Sequence, residues 1–263
     1  MKIGIFDSGL GGLIITHALT EHLPEYDYVY LGDTARVPYG DRTQAEIYKF
    51  TEEAVEFLFR NECQLVIVAC NTASAEALRK IQQQFLPKKW PDRKVLGVLI
   101  PSAEEATKNG NKIGLIATQA TIDSCAFDRE ITKINNEIEI IKIATPLLVP
   151  IIEAGDIEKA RDVLAEYLHD IKGEIDTLVL GSTHYARLKK EARDIVGKEI
   201  DIISQDSVVP PKLKNYLDRH PEIESRLSKN STRKFIVTKE SAAAEALASE
   251  LMGEKIELSE ASL

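Results

Sequence analysis

Positive charge is in short supply: 33 Lys and Arg stand against 42 Asp and Glu, a formal net charge of −9 over 263 residues. Binding phosphate backbones needs clustered Lys and Arg, so nucleic acid is disfavoured as the primary ligand. Long apolar runs are missing too. None reaches the roughly 18 residues that cross a bilayer. The chain runs straight into "KIGIFDSG" with no basic and apolar leader, so no membrane association is expected and a cytoplasmic location is. Only three cysteines occur, Cys63, Cys70 and Cys125, an odd number without close pairing that fits a reducing compartment better than a disulfide scaffold. The five histidines are scattered, and His17 and His22 fall on different helix faces, so no metal site is expected. The remaining composition, 44% hydrophobic and 29% charged, is that of a globular enzyme long enough for a large core.

Short β-like runs punctuate the chain: "KIGIF" at 2–6, "YVYLG" at 28–32, "LVIVA" at 65–69, "KIGLI" at 112–116, "IEIIKIA" at 138–144, "TLVLG" at 177–181 and "FIV" at 235–237. Helical spacing fills the intervals. In 43–59, Thr43 and Glu46 can make a capping box while Ile47, Phe50, Ala54 and Phe57 share a face. Strands alternating with helices predict an α/β fold with mainly parallel sheets. The chain also resembles itself. "KIGIFDSG" from Lys2 recurs as "KIGLIATQ" from Lys112, "VP" at Val37 and Pro38 recurs at Val149 and Pro150, and "VIVACNT" places Cys70 in register with Ser182 of "LVLGSTH". Three ordered matches at nearly one spacing predict two pseudo-symmetric α/β domains. Their boundary is expected near 95–103, after the proline-containing loop "FLPKKWPDRK". The segment opened by Pro210 and Pro211 is expected to cross back, giving 1–97 plus 208–263 as one domain and 98–207 as the other. Ligands of open α/β sheets bind outside the carboxyl ends of strands, so a shared cleft should hold the active site.

The residues after each strand carry the chemistry. "IFDSGLGG" supplies Asp7 and Ser8 and a glycine-rich turn that is neither a dinucleotide fingerprint nor a P-loop; its glycines are expected to serve a tight strand-to-helix turn. Tyr39 and Gly40 in "VPYG" form either a plain turn or part of a site. Cys63 and Cys125 are read as inert core residues. Cys70 differs, because it closes an apolar strand and precedes Asn71 and Thr72 where a helix N-terminus can stabilise a thiolate. Ser182, Thr183 and His184 hold the matching place in the second half. They do not form a nucleophile elbow, since the sequence reads Leu-Gly-Ser-Thr-His, and simple helix capping leaves His184 without a role. An acid or base on each face of a cleft suits removal of a proton from one side of a carbon and its return from the other. Thiols suit that work, with a free pKa of about 8.5, and a serine hydroxyl is a far weaker acid.

Through "IGIFDSGLGGL", "YLGDTARVPYG", "VACNTASA", "GLIATQATI", "LLVPIIEAG" and "GSTHYARL" the chain resembles the cofactor-independent glutamate racemases of the aspartate/glutamate racemase superfamily. The resemblance implies interconversion of L- and D-glutamate for peptidoglycan without pyridoxal phosphate or metal, and a homodimer is a family expectation. It implies Cys70 as the thiol facing the D-enantiomer, with Asp7 assisting. Ser8, Tyr39, Gly40, Asn71, Thr72 and Thr183 would hold substrate, with contributions from Thr118 and Thr121. Glu153 and His184 would support the opposite face. The family pattern there reads Gly-Cys-Thr-His, and this chain has Ser182. Three readings stand open: an engineered trap, a natural member with weakened or altered chemistry, or proton movement from His184 through Ser182. A glutamate-binding protein that acts without turnover, or a member acting on another acid, are the alternatives.

Overall fold

The computed structural model describes all 263 residues. Ten strands form two fully parallel sheets: β1 (Lys2–Asp7), β2 (Tyr28–Gly32), β3 (Cys63–Val68), β4 (Lys94–Gly97), β5 (Lys112–Ala117), β6 (Glu139–Ala144), β7 (Thr177–Gly181), β8 (Asp201–Ile203), β9 (Arg233–Val237) and β10 (Leu258–Glu260). The first sheet runs β10-β9-β2-β1-β3-β4 and the second β6-β5-β7-β8. The order β2-β1-β3-β4 is thus repeated as β6-β5-β7-β8. Register agrees residue by residue. Ile3 pairs with Tyr28 and Phe6 with Val68 in the first sheet, and Ile113 pairs with Ile140 and Ile116 with Leu180 in the second. Shifting β1 onto β5 therefore carries Val68 onto Leu180 and Cys70 onto Ser182, the same correspondence that the sequence repeat predicts.

Alternation along β1 sends Ile3 and Ile5 to one face and Phe6 to the other, and helices cover both faces as parallel sheets require. Helices Gly12–His22, Gln205–Arg219 and Ala242–Met252 pack on the Ile3 face, and Gln44–Arg60 packs on the Phe6 face. The Thr43–Glu46 capping box forms as expected. Ile5 is fully buried, so Ile5→Val removes one methylene from a closed core; urea denaturation should read a loss of about 1 kcal/mol.

Three expectations change. "FLPKKWPDRK" is a loop only in its second half: a wide turn at Ile81–Phe85 runs into the helix Leu86–Lys89, where Pro87 sits in the first turn and needs no N–H. Pro210 and Pro211 lie inside the helix Gln205–Arg219 instead of opening it. The carbonyls they leave unpaired belong to Asp206 and Ser207, which are half-buried and exposed. The short strands β4, β8 and β10 add to the seven apolar runs. No helix is long and apolar enough to cross a membrane.

Candidate active site

The carboxyl ends of β1, β3, β5, β6 and β7 converge on one cleft of about 50 Å³ between the sheets. Ser8, Tyr39, Gly40, Cys70, Asn71, Thr72, Thr118, Ser182, Thr183 and His184 all line it. Asp7 and Thr121 do not, and are buried behind it; Glu153 is exposed and lines a neighbouring cavity that His184 also reaches. Both "VP" pairs, Val37–Pro38 and Val149–Pro150, also line the cleft. The sequence repeat had already marked them as equivalent, and that was the signal for their place.

Cys70 lies two residues past the end of β3 and caps the helix Asn71–Glu76, where Ala73 N–H donates to Sγ at 3.4 Å. Ser8 Oγ lies 3.3 Å from the same sulfur. A depressed thiol pKa was expected from that helix N-terminus, but burial and the Asp7 carboxylate outweigh the hydrogen bonds and push it up to about 11. The free site therefore holds a thiol. Asp7 is fully buried, and burial raises its pKa against the opposing pull of His184 and the Gly9 and Gly12 N–H groups. One Asp7 oxygen accepts from Gly9 N–H at 3.1 Å and the other faces Thr183 Oγ1 at 3.5 Å.

On the opposite face Ser182 is 6% exposed, matched to Cys70 by sheet register. His184 Nε2 sits 3.0 Å from Glu153 Oε1. Burial disfavours the imidazolium, but the Glu153 hydrogen bond and charge, helped by Asp7, prevail and raise the His184 pKa. Such a group adds stability below its unfolded pKa and loses it as pH rises through the folded one. Glu153→Gln should therefore lower the His184 titration midpoint in an NMR pH series and shrink that low-pH stabilisation. An unmoved midpoint would remove Glu153 as its cause.

The glycine-rich turn serves close approach more than turn conformation, since neither Gly11 nor Gly12 has a positive φ. A Cβ on Gly11 would lie 2.7 Å from Thr183 Oγ1 and 3.0 Å from the His184 ring, and one on Gly12 would lie 2.5 Å from Asp7 Cβ. Glycine at 11 lets the first half touch the second half's site residues, and glycine at 12 lets the helix start close over Asp7. Tyr39 donates its hydroxyl to Asp33 Oδ2 at 2.6 Å, so it presents ring and backbone to the cleft, while Gly40 packs on Thr118. The Thr72, Thr118 and Thr121 hydroxyls form a triangle with sides of 3.0, 3.0 and 3.3 Å across the two halves.

Two cysteines separate. Cys63 is buried beside Gly4, and burial pushes its thiol up to about 12, an inert core residue as read from sequence. Cys125 is not in the core: it is exposed in the short turn between the helices Gln119–Asp123 and Ala126–Ile134, with a left-handed φ of 49°.

Sequence reasoning missed the supports. Asp33, fully buried, accepts from Tyr39, from Arg36 Nε at 2.6 Å and from Thr238 Oγ1 at 2.8 Å. By register its counterpart is Thr145, which lines the cleft and meets Tyr185 OH at 2.6 Å. The aspartate, Arg36 and Tyr39 all stood in the quoted "LGDTARVPYG", but no regular spacing links them, and Thr238 lies 205 residues further on.

A thiol near the Asp7 carboxylate and a hydroxyl two residues from the Glu153-bound His184 stand at equivalent strand ends of one cleft, an arrangement able to carry acid/base groups on two faces of a duplicated α/β frame. Residues 13–205 match the family described as Asp/Glu/Hydantoin racemase. The chain is 46% identical to a glutamate racemase of Chlorobaculum parvum over 224 residues, 83% of this chain and 80% of that one. Its structure resembles that of a glutamate racemase isoform from Bacillus anthracis, with a TM-score of 0.90 at 30% identity over 100% of this chain and 97% of that one. It also resembles the Francisella tularensis glutamate racemase solved in complex with D-glutamate, with a TM-score of 0.88 at 32% identity over 99% and 97% of the two chains. The chain belongs to the Asp/Glu/Hydantoin racemase family.

Proposed function

We propose that this protein takes glutamate into the cleft and acts as a cofactor-independent racemase with one strong base, Cys70, and a weakened return path at Ser182. The observation that carries the reading is the register match of Cys70 and Ser182 across two sheets of the same strand order. Glutamate comes from the glutamate racemases that the chain resembles. Its carboxylates would meet neutral donors, because no Lys or Arg lines the cleft: the Asn71 amide, whose Nδ2 is buried and unpartnered, and the Ser8, Thr72 and Thr183 hydroxyls. Fixed donors at an α-carboxylate stabilise the carbanion that forms when the α-proton leaves. Asp7 would steer that proton transfer at Cys70, and Glu153 with His184 would support the Ser182 side.

The same reading makes D-glutamate for peptidoglycan the product, a cytoplasmic location its place and a homodimer its assembly, with 1–97 plus 208–263 and 98–207 as the two domains. A second reading, glutamate binding without turnover, is favoured by the thiol pKa near 11. Proton NMR in D2O with each glutamate enantiomer, alongside chiral analysis of the product, separates the two. Loss of the α-proton signal supports the racemase reading, and binding of glutamate without any loss supports the second.

A further inference from the structure

Gln205 opens the helix that carries the chain from the second sheet back to the first, and its side chain is almost completely enclosed, at 1% exposure. Its Nε2 donates to the Leu180 carbonyl at 2.9 Å and reaches Asn71 Oδ1 at 3.4 Å. Leu180 is two residues before Ser182, and Asn71 is the residue after Cys70. One amide thus joins the two strand ends that carry the opposed acid/base positions. The pseudo-symmetry shows that this is an addition. Register places Gln205 opposite Val98 of the first half, a fully buried apolar residue that can make no such bond.

The bond also sets a direction. Asn71 is 3% exposed and its amide can sit either way round. With Oδ1 facing the Gln205 donor, Nδ2 is left without a protein partner and belongs to a residue that lines the cleft. Buried amide donors are otherwise nearly always paired, so an orphan beside a cleft is a donor held for an incoming acceptor.

We propose that Gln205 is a positioning residue for substrate: through Asn71 it orients a hydrogen-bond donor toward a substrate carboxylate, and through Leu180 it ties the Ser182 strand end to the Cys70 strand end. This rests on the glutamate reading above. Gln205 does not touch the reacting atoms, so its effect belongs mainly in substrate binding.

The test compares the full chain with Gln205→Met, Gln205→Glu, Asn71→Ala and the Gln205→Met/Asn71→Ala double variant. The readouts are KM and kcat for α-proton washout from D-glutamate in D2O, glutamate affinity by calorimetry, and the melting temperature. Methionine keeps the volume and removes the donor. Losing one hydrogen bond's worth of alignment raises KM by about 5- to 10-fold, with kcat within about twofold. Glutamate at 205 places an acceptor against two acceptors and raises KM further. The double variant is no worse than Asn71→Ala alone, because Gln205 acts through Asn71. Unchanged KM in Gln205→Met with normal washout in the parent overturns the proposal, and so do effects that add in the double variant or a loss confined to melting temperature. A parent chain that neither binds glutamate nor releases its α-proton overturns the functional reading, and this role with it.

Discussion

In D2O, D-glutamate exposed to this protein loses its α-proton signal while L-glutamate accumulates about a thousandfold more slowly than in the Ser182→Cys variant. Two steps of different difficulty give that result. Removal from the D-enantiomer needs only Cys70, and return to the same face needs the thiol to exchange its proton first. Ser8 Oγ, 3.3 Å from the sulfur, is the hydroxyl within reach to relay that exchange. Inversion needs an acid on the other face, where Ser182 is the group at hand and holds its proton far more tightly than a thiol does. A positioned general acid is worth about 10² to 10⁴ in rate, which sets the size of the expected gain. Ser182 makes no side-chain capping bond, so a thiol can replace its hydroxyl without breaking the local structure. Fast inversion from both enantiomers by the unsubstituted chain would sink the idea and turn attention to His184 acting through Ser182.

Much of the frame behind this prediction can be read along the chain. The seven apolar runs became β1, β2, β3, β5, β6, β7 and β9; most are apolar because a strand buried on both faces has to be, while the edge strand β6 showed through its isoleucines despite partial exposure. β4, β8 and β10 escaped notice for the opposite reason. They are three or four residues long and partly exposed, so Lys94, Asp201 and Glu260 break the pattern. The Thr43–Glu46 cap was legible because both partners lie within one turn. The links Asp33–Thr238 and Gln205–Asn71 were not, since 205 and 134 residues separate their partners. Cys70 and Ser182 were legible as a pair only because duplication copied the strand ends. The sign of the Cys70 pKa shift was not, because it depends first on how completely the fold buries the thiol and then on Asp7 approaching from another strand.

That sign has a measurable consequence of its own. For D-glutamate washout, kcat/KM follows the ionisation of the free enzyme, so a thiol held near 11 leaves only a small thiolate fraction at neutral pH. The rate constant should climb about tenfold per unit, roughly a hundredfold between pH 6.5 and 8.5. Asp7→Asn pulls this in two directions. Removing the carboxylate charge lowers the thiol pKa, visible as thiolate absorbance appearing at lower pH, and on electrostatics alone the variant would be faster. It also removes the one buried carboxylate beside the reacting proton, whose raised pKa fits it to share that proton with the sulfur. Washout is expected to fall by about 10² to 10³ even as the thiol titrates lower. A lower thiol pKa together with faster washout would show that Asp7 only hinders ionisation, and its place behind Cys70 would then be a matter of holding Gly9 and Thr183.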